Sequence, residues 1–216
     1  MNDWGIIGHD WAVKRLSSAI ASGQLAQSHL FVGPPAIGKA ALAQAMARAL
    51  LGHDDRTRRL VDQNKHPDLT WVQPDGDSIK VDQVRELLHA LTLAPVESRQ
   101  RVAIIDQAHL MTDNGKNAIL KTLEEPNPTV VMILIAPSVD SVLPTISSRC
   151  QVLNLRLAPV TDIEQALIER GQGSDRAEFI ARLSRGRVGW ALRAIEDETL
   201  LEARRQRLDD LMTLLG

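Results

Sequence analysis

The residues best placed to do chemistry lie early in the chain, where Gly33, four intervening residues, Gly38 and Lys39 follow the apolar run Leu30, Phe31 and Val32. This spacing suits anions, because successive backbone N–H groups and a helix N-terminus converge on one point and a lysine adds charge. Gly33 and Gly38 permit a tight backbone around Pro34, and Lys39 would stand near the terminal phosphates of a nucleotide. The next position normally supplies a Ser or Thr hydroxyl to magnesium, and here it is Ala40. A second group fits the same chemistry. Asp106 ends the run Val102, Ala103, Ile104, Ile105, where an acid can orient a metal beside phosphates. Gln107 follows it, where an ATPase of this type usually places a glutamate. Glutamine can hydrogen-bond a water but cannot take its proton. The expectation is a cradle for ATP or ADP, with or without magnesium, that hydrolyses its ligand poorly.

Positioning such groups requires strands that end beside a helix start. Val13, Leu16 and Ile20 recur at helical spacing over roughly 10–22, with Gly23 closing the helix. Leu42, Met46, Ala49 and Leu50 mark a helix after the loop. The polar segment from Gly52 to Lys65 reads as a connector, and Leu69 to Val72 as a strand. Val84, Leu87, Leu88 and Leu91 mark another helix. After the strand at Arg101–Asp106, a helix capped by Asp113 runs to Glu124 and Glu125. Val130 to Ala136 and Gln151 to Leu155 read as further strands. Strands alternating with helices predict a parallel α/β sheet.

From about Ala158 the pattern becomes helical only. Thr161 and Glu164 have capping-box spacing. Ser174 reads as the cap of a helix that Gly186 ends, a short helix surrounds Trp190, and Leu201, Leu208, Leu211 and Leu215 suggest a terminal one. The expected division is an α/β domain over 1–157 and a helical lid over 158–216.

Composition excludes several classes. A chain of 216 residues with 44% hydrophobic residues can bury a core, and it has no apolar run of membrane-spanning length. The opening residues lack the pattern of a secretory signal. One cysteine, Cys150, excludes an internal disulfide framework, and a net charge of −2 argues against an autonomous duplex-binding face. A cytoplasmic location is expected. Arg176, Arg182, Arg185, Arg187 and Arg193, mixed with acids, read as a solvated helical face.

Three stretches carry a family resemblance: Asp106-Gln107-Ala108-His109, then Asn117 through Pro126 (Asn-Ala-Ile-Leu-Lys-Thr-Leu-Glu-Glu-Pro), then Ser148-Arg149-Cys150. With Ile6-Ile7-Gly8, Ser28 to Pro34 and Val81 to Arg85, they resemble the AAA+ subunits of bacterial DNA polymerase III clamp loaders along nearly the whole chain. The resemblance implies a P-loop NTPase-like parallel sheet followed by a helical lid. Motor subunits of that family keep a hydroxyl after the loop lysine, a glutamate after the strand aspartate and an arginine early in a late helix. This chain has Ala40, Gln107 and Gly189 there, with Arg187 two residues away, and so resembles the delta-prime branch.

The resemblance further implies that Arg149 reaches across a subunit interface as an arginine finger for a neighbour's ATP site. The implied role is a stator, not catalytically active by itself, in a DNA polymerase III complex. Its implied partners are motor (gamma/tau) and delta subunits, the sliding clamp and primed DNA. The four-cysteine zinc module of many relatives has no counterpart in 52–65, so no zinc is expected. The chain is expected to stop where the family's collar domain begins. Two rivals are a self-sufficient ATPase motor, against which Ala40 and Gln107 count, and a nucleotide-independent interaction module with a vestigial loop.

Overall fold

The computed structural model describes residues 4–197 and 199–202. The expected terminal-helix positions Leu208, Leu211 and Leu215 lie outside the described residues.

Five parallel strands form the centre: β1 (Ser28–Val32), β2 (Leu69–Val72), β3 (Arg101–Ile105), β4 (Val130–Ala136) and β5 (Gln151–Asn154), in spatial order β2-β3-β4-β1-β5. Successive strand residues point to opposite faces, and both faces are apolar, which is why the strands read as unbroken hydrophobic runs. On one face Phe31, Ile104, Ile133 and Ile135 pack against α1 (Asp10–Ala21) and α2 (Lys39–Leu51). On the other, Leu30, Val32, Ile105 and Leu134 meet α4 (Val81–Thr92) and α5 (Asp113–Glu124).

Several local expectations are corrected. The polar segment read as a connector contains the helix α3 (Asp55–Asp62), capped by Asp54, whose carboxylate accepts the Thr57 N–H at 2.9 Å. Thr57 and Val61 are its buried residues, too few to give a visible period. Helix α5 is capped by Thr112, one residue before the expected Asp113. A short α6 (Pro144–Ser147) precedes β5.

After β5 come α7 (Val160–Ile168), α8 (Ser174–Ser184) and α9 (Val188–Glu196), packed about Ile163, Leu167, Ile180 and Ala191. Pro159 and Gly173 stand at the caps of α7 and α8, without side-chain capping bonds, in place of the expected Thr161–Glu164 box and Ser174 cap. Ile7, from the start of the chain, belongs to this cluster, and Gly8 lies so close to Ala158 that a Cβ there would come within 2.3 Å of the Ala158 Cβ.

At the other end of the sheet, the buried Asp68 carboxylate accepts the N–H groups of Val96, Glu97 and Ser98 at 2.7, 2.8 and 2.8 Å. Arg101 lies 3.8 Å from it and donates to the Leu93, Ala94 and Pro67 carbonyls. Burial would raise the Asp68 pKa, but these three N–H groups and Arg101 more than offset it, and the carboxyl sits below its ordinary value. The stability it contributes is therefore present above its unfolded pKa and is lost as pH falls through the lower folded value. Asp68→Ala should cost about 3–5 kcal/mol, because a buried arginine loses its partner. Urea unfolding measures the cost, and the variant's stability should also fall less steeply below about pH 4 than the wild type's.

Candidate phosphate-binding site

Helix α2 begins at Lys39, directly after the loop that leaves β1. The loop needs both glycines, for different reasons. Gly33 has φ 148°, and a Cβ there would sit 2.4 Å from the Leu155 carbonyl oxygen and 2.6 Å from Ile37 Cδ1. The Leu155 N–H donates to Val32 at 2.7 Å, so the chain leaving β5 presses directly onto the loop's first residue. Gly38 has φ 103° and only the His9 ring nearby, at 3.9 Å, so its requirement is conformational.

A cavity of about 700 Å³ opens where the carboxyl ends of the strands meet the start of α2. Crevices at this place in a parallel sheet are the usual ligand sites. Gly38, Lys39, Ala40 and Asp106 all line it. Gly33 and Pro34 stand behind it, and the Lys39 ammonium is bonded to their carbonyl oxygens at 2.5 and 2.7 Å. Burial lowers the Lys39 pKa, against the opposing charge of Asp106. Burial likewise raises Asp106, against the Gln107 backbone and Lys39. The lysine thus satisfies itself on the loop's own carbonyls. A phosphate would offer it a charged acceptor instead.

The hydrolytic side of the cavity is bare. Ala40 brings no hydroxyl to the metal position. Gln107 lines the cavity in a left-handed conformation, φ 54°. The wall from β4 consists of Ile135, Ala136 and Pro137, which offer no polar side chain to hold a water or a terminal phosphate.

Three contributors were not found by reading the sequence. His9 Nε2 lies 2.8 Å from the Ile37 carbonyl and must carry the proton, because a carbonyl can only accept. Burial lowers its pKa, so a neutral ring ties α1 to the loop. His109 lines the cavity, its pKa lowered by burial and by Lys39. Arg193 lines it from α9, and does not belong only to a solvated face. No local pattern marks His9 or Arg193, since the residues they meet are far along the chain, whereas His109 stands in the same short stretch as Asp106.

Arg149 is not part of this cavity. It precedes β5, which runs parallel to β1 with Gln151 opposite His29, so it lies at the other end of the sheet from the loop. Four residues of strand separate the two levels, about 13 Å. There Arg149 pairs with Glu124 at 2.8 Å and donates to the Thr145 carbonyl at 2.8 Å. Cys150 beside it packs against the core, and burial pushes its thiol up to about 12.

The two glycines predict an order of sensitivity. Gly38→Ala should cost about 1–2 kcal/mol, the ordinary penalty of a left-handed non-glycine residue. Gly33→Ala should cost more, because its methyl also meets backbone. Denaturant midpoints of the two variants, measured without ligand, test this order.

The model of a family described as DNA polymerase III, delta subunit, matches residues 8–159. The chain is 32% identical over 200 residues to DNA polymerase III subunit delta-prime of Bacillus subtilis, covering 89% of this chain and 60% of that protein. It is 34% identical over 164 residues to the gamma/tau subunit of Mycobacterium bovis, covering 71% of this chain and 28% of the relative. The chain therefore spans well under two thirds of these relatives. Among solved structures, the Thermotoga maritima RuvB Holliday junction branch migration motor aligns with TM-score 0.62 at 19% identity, covering 97% of this chain and 64% of the other. A gamma subunit-related protein from the same organism aligns with TM-score 0.58 at 20% identity, covering 78% and 57%. These likenesses show the fold, which is the AAA+ P-loop type.

Proposed function

The chain belongs to the DNA polymerase III delta-subunit family matched over residues 8–159, and from that premise we propose that it serves as a delta-prime-type subunit of a clamp loader in DNA replication. In this reading it is a stator. It holds its place beside a gamma/tau motor subunit, works with delta, the sliding clamp and primed DNA, and supplies Arg149 to the neighbouring ATP site. Such a role places it in the cytoplasm. Residues 1–157 would act as the α/β body and 158–216 as the lid.

The observation that carries this reading is the separation of the two sites. Arg149 lies at the sheet end opposite the cavity, so an ATP site that it serves would be another subunit's. Its present partner Glu124 is half exposed, and an exposed ion pair contributes about 0–1 kcal/mol. The guanidinium is therefore held ready at little cost. The chain's own cavity supports retention of ATP or ADP through Gly33, Pro34, Gly38, Lys39, Ala40 and Asp106. Bound there, a nucleotide would offer its phosphates to Lys39. Ala40, Gln107 and the apolar β4 wall count against hydrolysis, and so against the motor reading.

A second reading is favoured by one observation, the Lys39 bonds to Gly33 and Pro34. A loop whose lysine is already satisfied could be vestigial, and the chain would then be an interaction module that ignores nucleotide.

In a complex reconstituted with motor and delta subunits, clamp and primed DNA, Arg149→Ala should slow DNA-stimulated ATP turnover by at least about tenfold at the adjoining site. Arginine fingers in other NTPases supply about 10³–10⁵. Equal turnover with the variant, once gel filtration shows that it has assembled, would refute the finger.

A further inference from the structure

We propose that Arg193 binds the phosphate chain of a nucleoside di- or triphosphate, reaching the cavity from α9 opposite Lys39. The proposal rests on reading the loop as a nucleotide cradle.

Position 189 sits tightly against the loop backbone. Its N–H donates to the Ala36 carbonyl at 2.8 Å, and a Cβ on residue 189 would lie 3.2 Å from the same oxygen. A side chain there would require the loop and α9 to give by a few tenths of an ångström. Glycine lets the helix start rest on the loop backbone, and the cavity is then lined by whatever follows on that face. Residues four apart share a helix face, and their side chains lean toward the helix N-terminus. Arg193 does so: its Nε donates to the Gly189 carbonyl at 3.2 Å, which lays the guanidinium over the turn that touches the loop. Gly189 and Arg193 line the same cavity as Lys39 and Asp106.

The resulting charge arrangement selects the ligand. Lys39 approaches from the loop and Arg193 from the lid, with Asp106 as the carboxylate between the strand ends. Arg193 is exposed, and among the described residues no carboxylate forms an ion pair with it. A guanidinium with free terminal nitrogens matches a phosphate through two parallel bonds, which an ammonium cannot form. A single phosphate held at the loop would engage Lys39 alone. A chain of two or three can span both cations, so the proposed contact favours ADP and ATP over AMP.

The test is titration of a fluorescent ADP analogue and of AMP, the latter by competition. The proteins are wild type, Arg193→Ala, Arg193→Lys and Lys39→Ala, each in EDTA and in magnesium. We expect Arg193→Ala to weaken ADP binding about tenfold or more while changing AMP affinity by less than about threefold. Arg193→Lys should recover only part of the loss, and the ligand-free melting temperature should not change. If Arg193→Ala binds ADP as wild type does while Lys39→Ala does not, Arg193 plays no part and the cradle reading stands. If Arg193→Ala weakens AMP and ADP alike, the residue is not a reader of the phosphate chain and the proposal is overturned. If wild type binds neither ADP nor ATP at millimolar concentration, the nucleotide reading itself fails, and the proposal fails with it.

Discussion

The site exists because β1 is held on all sides. The strand is hydrogen-bonded to β4 along one edge and β5 along the other, and all five of its residues are buried. Its end is therefore a fixed point, and the loop must turn immediately where the sheet stops. The chain leaving β5 tightens this further by pressing the Leu155 carbonyl against Gly33. Everything else at the cavity takes its position from that point: the start of α2, the reach of Lys39, the contact from His9 and the resting place of α9. A shift of β1 along its neighbours would move all of them together.

Retained and absent chemistry differ in kind. What is retained is largely backbone: glycine conformations, N–H groups at a helix start, and a lysine. What is absent is side-chain chemistry: a hydroxyl at 40, a carboxylate at 107, a polar group on the β4 wall. Backbone features are bound up with the packing of the sheet, so losing them would disturb the fold. Side-chain features can be lost singly without structural cost. The loop's backbone geometry accordingly stands beside Ala40 and Gln107, positions that carry neither hydroxyl nor carboxylate.

The same asymmetry sets how much could be read from the sequence. The loop, the strand ending in Asp106 and the apolar strands were legible because each is a local pattern with a local cause. The β4 run, Val130 to Ala136, coincides with its strand because burial on both faces leaves no polar interruption. Helix α3 was missed because it buries only Thr57 and Val61 and is held by an aspartate cap. His9 and Arg193 were missed for a different reason. Their significance lies in meeting residues 28 or more positions away, and a single sequence carries no sign of such meetings. Arg149 was singled out by family resemblance, and its pairing partner Glu124 lies 25 positions earlier, at the end of α5.

The hydrogen bond from Gly189 to Ala36 is made wholly by main-chain atoms. Neither residue contributes a side chain to it, so truncating side chains along the lid and loop would leave this joint standing. Adding a methyl at 189 would instead crowd it, since a Cβ there lies 3.2 Å from the Ala36 carbonyl oxygen. Proline at 189 would act on the joint most directly, because it removes the donor yet is tolerated in a helix's first turn. This tie between the loop and α9 therefore depends on what the main chain can do, and on no side chain's chemistry.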